Sequence, residues 1–397
     1  MTALTADQIA RVKATAPVLA EHGVTITAHF YKRMFTNHPE LKNVFNQAHQ
    51  QSSSQPQALA RAVYAYAANI DNLGALGSAV THITHKHASL NIRPEQYPIV
   101  GENLLAAISE VLGDAVDEPT LDAWRAAYAQ LAEILIGAEK ALYAQAAWSG
   151  FRPFVVFRRE QESDEITSFY LKPSDGGPVC HFEPGQYVSV KRFVKEIGVD
   201  QPRQYTLSDA PNGEWLRISV KRERPQDTPP GFVSNLMHDG MELGGIVEVS
   251  APMGEFTLDA AKTTPVVLIS GGVGITPTLA MLRVALKTSR TVHFIHASRH
   301  GGVHAFRHFI DELATRNPQL KRFYVYEKPR AEDSVHDAAG YLDEARLREF
   351  MPASSDVDVY FLGPKAFMKA IRKHLKTLGV PAAQARYEFF GPPSALD

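Results

Sequence analysis

"TTPVVLISGGVGITPTLAML", residues 263–282, carries no charged side chain. An uncharged run of that length can span a bilayer, so its reading decides between a membrane protein and a globular one. Three glycines, two prolines and several hydroxyls sit inside it, and each works against a lipid-facing helix. A buried strand over 265–270, a glycine-rich turn and a helix after it account for the whole stretch.

Working outward, "TVHFIH" (291–296), "RFYVYE" (322–327) and "DVYFLG" (358–363) repeat the strand pattern, with helical spacing between them. That alternation predicts an α/β domain over 263–397, a parallel sheet with crossover helices. Upstream, from 151 to 262, the runs are short and β-rich: "FVVF" (154–157), "ITSFYL" (166–171), "QYVSV" (186–190), "RQYTLS" (203–208), "WLRISVK" (215–221) and "IVEVS" (246–250). Turn clusters such as "PSDGG" (173–177) and "APNGE" (210–214) separate them, which predicts a small antiparallel β-barrel. Residues 1–147 are Ala-rich and apolar at helical spacing, so they read as an all-α domain. "LDAWRAAYAQLAEILIGAEKALYAQ" (121–145) is one long amphipathic helix, and Pro39, Pro56, Pro94 and Pro119 mark helix starts or loops. Thr5 and Gln8 form a capping box for a helix through Ile9, Val12 and Leu19.

A chain of 397 residues exceeds one ordinary core, which agrees with this three-part division. The content of 45% hydrophobic and 21% charged residues is that of a soluble protein. A net charge of −2 with no Lys/Arg cluster excludes a nucleic-acid surface. Cys180 is the single cysteine, so neither an internal disulfide nor a four-thiolate zinc site can form. With no secretory signal at the N-terminus, the expected location is cytoplasmic. No obligate protein partner is implied.

"HITHKHASLNIRPEQY" (82–97) places three histidines in six positions. On a helix, Leu76, Val80, Ile83, His87 and Leu90 share one stripe. His82 and His85 fall on another side, so the three do not converge. As a pair they would bind a metal weakly, and they read as solvated. His87 has two readings: a core histidine satisfied by one hydrogen bond, or an axial ligand to a flat apolar cofactor such as haem.

The first 147 residues resemble a globin of the bacterial flavohaemoglobin type. "AHFYKRMF" (28–35), "PELKNVF" (39–45), "KHASLNIRPEQY" (86–97) and "VGENLLAAI" (100–108) match in order and spacing. The resemblance implies His87 as the proximal haem ligand and Phe45 as the ring on the haem face. It implies Tyr31 and Gln55 as the distal pair facing oxygen, with Leu59 between them. Tyr97 and Glu139 would stand behind His87, where a carboxylate gives the imidazole more anionic character. By position alone, Glu139 reads as a surface residue of its helix and Tyr31 as an ordinary core tyrosine.

The remainder resembles the ferredoxin-reductase family. "RQYTLS" matches its flavin motif Arg-x-Tyr-Ser/Thr, which implies Arg203 on the pyrophosphate, with Gln204, Tyr205 and Thr206 along the flavin ring. "FEPGQYVSV" (182–190) and "PPGFVSNLMH" (229–238) would supply Tyr187 on the adenine side and the Val233–Ser234 turn at the phosphates. The run Gly271, Gly272, Val273, Gly274, Ile275, Thr276, Pro277 matches the family's own dinucleotide loop, although Pro277 stands where G-x-G-x-x-G has its third glycine. "YEFFGP" (387–392) resembles the segment closing over the flavin, with Phe389, Phe390, Gly391 and Pro392, Phe390 stacking on the ring. Lys86 and Glu388 match charged residues placed between flavin and haem.

Two departures stand out. Leu362-Gly363-Pro364 replaces the family's Cys-Gly-Pro beside the nicotinamide. Ser298-Arg299, in "HASRH" (296–300), falls where NADPH-specific relatives hold a 2′-phosphate, yet the reading leans to NADH. The resemblance implies haem b, FAD and NADH or NADPH as cofactors, and a nitric oxide dioxygenase that turns NO and O2 into nitrate. Alternatives on the same parts are a haem-dependent reductase of lipid hydroperoxides or quinones, with a lipid in the distal pocket, and an oxygen-binding or sensing globin kept ferrous by its reductase. Were His87 only a core residue, a flavin reductase without haem would remain.

Overall fold

The structure, a computed structural model, describes residues 3–47, 54–224 and 231–390. It begins with six α-helices among the described residues: α1 (Ala6–Ala14), α2 (Ala16–Asn37), α3 (Ser54–Ala68), α4 (Gly77–Leu90), α5 (Gln96–Leu112) and α6 (Glu118–Gln145). The capping box forms as expected, with Thr5 Oγ1 accepting from Gln8 N at 3.2 Å and Gln8 Oε1 from Thr5 N at 2.9 Å. The single helix expected through Leu19 is two helices. Pro17 has no N–H to give to the turn before it, so the chain breaks at Thr15 and α2 starts afresh. Val12, Ile26, Phe30, Met34, Ile108 and Trp124 are fully buried at the centre of these helices, which is the apolar stripe of each helix turned inward.

Six strands follow: β1 (Phe151–Gln161), β2 (Ile166–Pro173), β3 (Tyr187–Val194), β4 (Val199–Thr206), β5 (Leu216–Lys221) and, after α7 (Phe232–Gly240), β6 (Ile246–Ser250). They form one sheet in the order β4-β3-β6-β1-β2-β5. Leu207, just beyond β4, bridges antiparallel to Ile218 in β5. The two ends of the order thus meet and the sheet closes, which removes its free edges.

The uncharged stretch resolves into β7 (Val266–Gly271), a 3-10 turn over Gly272–Gly274, and α8 (Ile275–Ala285). No helix among the described residues is long and apolar enough to cross a membrane. The chain continues through β8 (Val292–Ser298), α9 (Arg307–Arg316), β9 (Leu320–Tyr326), β10 (Ala338–Ala339), α10 (Glu344–Phe350), β11 (Asp358–Leu362), α11 (Lys365–Thr377) and β12 (Ala385–Tyr387). The sheet order is β10-β9-β8-β7-β11-β12, and all its pairings are parallel. Every residue of β7 and β11 is buried, because helices cover both faces of such a sheet. Val266 and Leu268 enter one core cluster, Val267 and Ile269 the other. That is the alternation of a strand, and a single-sided helix would not give it.

By contact density, Met1–Arg152 with Ser189–Arg203 and Val249–Met253 form one compact unit. Pro153–Val188, Gln204–Glu248 and Gly254–Asp397 form the other.

Candidate functional site: a histidine–carboxyl–tyrosine triad and a dinucleotide loop

In the first unit three helices converge on one ring. His87 stands in the last turn of α4, Tyr97 in the first turn of α5 and Glu139 near the end of α6. Helix α4 stops just past His87 because Asn91 adopts a left-handed conformation (φ 60°), and Ile92 N then bonds back to His87 O at 3.0 Å. Gly101 lets Tyr128 of α6 lie against α5, since a Cβ there would sit 2.4 Å from the Tyr128 ring. The Tyr128 hydroxyl donates to Tyr97 O at 2.7 Å and fixes the start of α5.

His87 Nδ1 lies 2.8 Å from Glu139 Oε1 and 3.1 Å from the Tyr97 hydroxyl, and that hydroxyl donates to Glu139 Oε1 at 2.5 Å. Glu139 is 2% exposed, so it is an interior group and not the surface residue its position alone suggested. Burial, and then the bond to Glu139, raise the Tyr97 pKa above its ordinary value, which keeps the hydroxyl a donor. A carboxyl acceptor makes Nδ1 the protonated nitrogen and leaves Nε2 with its lone pair. Nε2 has no partner among the described residues. This donor set suits a haem iron: one imidazole nitrogen presented, the other fixed.

The stripe expected on α4 is half-buried along Val80, Ile83, His87 and Leu90, while Thr84, Ala88 and Ser89 are the fully buried positions. Val80 and Ile83 pack against Tyr97, Ala132 and Leu135. His82 and His85, expected in solvent, are half-buried; an imidazole can lay its apolar body along the helix and keep a wet tip. No three His, Cys, Asp or Glu among the described residues form a metal-holding group.

Tyr31, 6% exposed, sits on α2 among Phe30, Phe35 and Phe45, with ring centroids 4.8, 5.9 and 5.7 Å away. Phe45 and Leu59 are partly buried against the same helical core. Gln55 lies half-buried in the first turn of α3, one turn before Leu59.

Gln201 went unnoticed in the sequence. It is fully buried in β4, and its amide Nε2 donates to Lys42 O at 3.1 Å and Phe45 O at 3.2 Å. Its Oε1 accepts from Gln47 N at 3.0 Å and from Arg203 Nη2 at 3.3 Å. One side chain therefore ties the Phe45 segment to the arginine of the flavin motif. The only sequence signal was a glutamine two residues before Arg203. Lys86 is half-buried, and burial, then the Arg203 charge, lower its pKa.

In the second unit Tyr187 and Thr206 are buried, and Gln204 and Tyr205 half-buried. Val233 and Ser234 are buried in the first turn of α7, where Ser234 Oγ donates to Gly231 O at 3.1 Å and accepts from Glu223 N at 3.2 Å. Phe389 is half-buried and Phe390 51% exposed. Burial, then the Glu255 charge, push the Glu388 carboxyl up to about 8. Gly391 and Pro392 lie outside the described residues.

The dinucleotide loop passes close to the end of β11. A Cβ on Gly274 would stand 2.6 Å from Leu362 O, so only glycine fits there, and one on Gly271 would crowd Pro364 and Phe367 at 3.1–3.2 Å. Thr276 Oγ1 caps Val273 O at 3.0 Å. Connections leave β7 toward β8 on one side and reach β11 on the other, the switch point at which open parallel sheets take their ligands. Ser298 Oγ donates to His300 O at 3.2 Å, and Arg299 is ion-paired with Glu165.

A globin family profile matches residues 28–135, and an oxidoreductase NAD-binding domain profile matches 268–373. The flavohemoprotein of Burkholderia sp. (strain TH2) is 58% identical, over 99% of this chain and 100% of that one. The flavohemoprotein of Pseudomonas putida (strain KT2440) is 54% identical over the same shares. Among solved structures, the flavohemoglobin from Malassezia yamatoensis with bound FAD and heme superposes with a TM-score of 0.87 at 28% identity, over 98% of this chain and 100% of that one. The FAD/NAD binding domain of nitric oxide dioxygenase from Vibrio cholerae gives 0.56 at 37% identity, over 61% of this chain and 99% of that one.

Proposed function

This chain belongs to the flavohemoprotein family, an oxidoreductase that carries haem and FAD and draws on a nicotinamide nucleotide, and from that premise we propose that it is a nitric oxide dioxygenase. We assign it three modules: globin at 1–147, FAD-binding barrel at 151–262 and nicotinamide-binding α/β domain at 263–397. When bound, these groups would supply hydride donation, one-electron transfer and an iron site for O2 and NO. The balance is two NO, two O2 and one NAD(P)H to two nitrates, one NAD(P)+ and one proton.

His87 Nε2 would hold the iron. Glu139 takes the Nδ1 proton's hydrogen bond, which strengthens the ring as a donor and favours activating oxygen over storing it. Tyr97 holds Glu139 in place. Tyr31, with Gln55, offers a hydrogen bond on the distal side, inside a pocket that Phe45 and Leu59 keep apolar. Arg203 would face the flavin pyrophosphate; Tyr187, Tyr205, Thr206 and Phe390 would hold the flavin; and the α7 N-terminus at Val233–Ser234 would receive phosphate. The Gly271–Pro277 loop seats the second pyrophosphate, and Leu362 walls the nicotinamide.

The observation that carries this reading is the 2.8 Å contact between His87 Nδ1 and buried Glu139. The test is NADH consumption by purified protein under O2 with added NO, with nitrate measured. The expected result is one NADH per two NO and stoichiometric nitrate. Rapid NADH-driven reduction of a lipid hydroperoxide with little NO consumed would overturn it.

A further inference from the structure

We propose that Glu165, in the turn between β1 and β2, sets the choice of coenzyme by occupying Arg299, so that the site takes the 2′-hydroxyl of NADH in preference to the 2′-phosphate of NADPH. The proposal rests on the dinucleotide reading of the parallel sheet and not on the haem chemistry.

Arg299 follows β8, the strand beside the glycine loop. With the pyrophosphate on that loop, the adenosine ribose lies over the end of the adjacent strand. An arginine there suits a phosphate dianion, because its planar fork can bind two phosphate oxygens. Here the fork is already engaged, since Arg299 Nη2 pairs with Glu165 Oε1. The turn that carries Glu165 is fixed by backbone bonds. Asp164 N donates to Gly302 O at 2.8 Å, and Arg222 N to Glu165 O at 2.8 Å.

A second guanidinium beside Gly302, that of Arg330, is answered in the same way. Arg330 Nη1 lies 3.6 Å from Asp164 and 3.8 Å from Glu332. A 2′-phosphate would have to displace a carboxylate from Arg299 and then sit beside Asp164 and Glu165, with like charges close together. A 2′-hydroxyl meets neither penalty, and Glu165 can accept its hydrogen bond.

The Arg299–Glu165 pair is 58% and 31% exposed at its two side chains, so its effect is that of a partly screened ion pair. The experiment uses the intact holoprotein and two probes, 2′,5′-ADP and 5′-AMP, with binding followed by calorimetry. Anaerobic flavin reduction by NADPH and NADH gives a second readout that needs neither NO nor haem turnover. Glu165→Gln should tighten 2′,5′-ADP binding about fivefold while 5′-AMP is unchanged, and the NADPH/NADH ratio of flavin-reduction efficiency should rise in step. Adding Arg299→Ala should return that gain, whereas Arg299→Ala alone should change 2′,5′-ADP binding little. The proposal is overturned if Glu165→Gln leaves both ratios where they were, or if the gain survives loss of Arg299. Protein that binds neither probe overturns the dinucleotide reading, and the proposal with it.

Discussion

Half-buried His87 and the buried pair His296–His304 are two answers to one problem, a histidine ring held by its neighbours. His87 Nδ1 faces a carboxyl at 2.8 Å and a tyrosine hydroxyl at 3.1 Å. On β8 of the parallel sheet, His296 stacks against His304 from the loop that follows, with centroids 4.3 Å apart and exposures of 1% and 3%. Their Nδ1 atoms meet only hydroxyls, Ser270 at 2.8 Å and Tyr326 at 2.8 Å, and both Nε2 atoms are buried without a partner among the described residues. An unpartnered Nε2 is therefore no signature of a metal ligand by itself. A hydroxyl can accept or donate, so it does not fix which ring nitrogen carries the proton; a carboxylate only accepts and does fix it.

The largest effect should come from replacing the rings themselves. His87→Ala should lose the haem Soret band and all NO-dependent NADH oxidation, while NADH still bleaches the flavin. His304→Ala should keep the Soret band and act on stability alone, read as a lower thermal midpoint. A haem lost in the second variant would break the contrast. Next comes the carboxyl. Glu139→Leu should cost about 10–100-fold in haem affinity or turnover, measured by haem transfer to an acceptor apoglobin and by NO consumption. Glu139→Gln should cost less, because an amide oxygen can still accept from Nδ1.

The contrast also marks what local pattern can carry. The strands, the glycine loop and the order of the three regions follow from periodicity and punctuation, which act within a few residues. The inward turn of Glu139 does not, since a glutamate in the last third of α6 has the spacing of a surface group. Only its resemblance to the family pointed inward. Gln201 was invisible because its bonds reach Lys42 and Phe45, more than 150 residues away. Glu165 was invisible for the same reason, paired with an arginine 134 positions on. The break at Thr15 was legible in Pro17, but the apolar stripe through Leu19 masked it.

A third effect separates the two histidine settings by acid. Burial pushes His296 down to about 3, and His304 well below its ordinary value, helped by the His296 ring and nearby arginines. An unfolded histidine titrates near about 6.5. Between those values the unfolded chain holds protons the folded one does not, so this stability is complete above about pH 6.5 and drains as pH falls toward about 3. The slope should approach about 1.4 kcal/mol per pH unit for each ring. His296→Phe should therefore flatten the fall of the thermal midpoint between pH 7 and 4 relative to the parent protein. An unchanged slope would show that the pair is not held neutral by burial.

The smallest effect is the sharpest test. Tyr97→Phe removes the hydroxyl that donates to Glu139 Oε1 at 2.5 Å. The carboxyl loses one of its two donors in a nearly dry site, at a cost of about 1–3 kcal/mol in stability. Its remaining acceptor strength then falls wholly on His87 Nδ1, so on the proposed ligation the ring should become a stronger donor to iron. The iron–histidine stretching frequency of the ferrous protein should rise in Tyr97→Phe and fall in Glu139→Leu. If both variants fell together, the tyrosine would be doing the carboxyl's work. His87 would then differ from His304, whose Nδ1 meets a tyrosine hydroxyl alone, only in where it stands and not in how it is held.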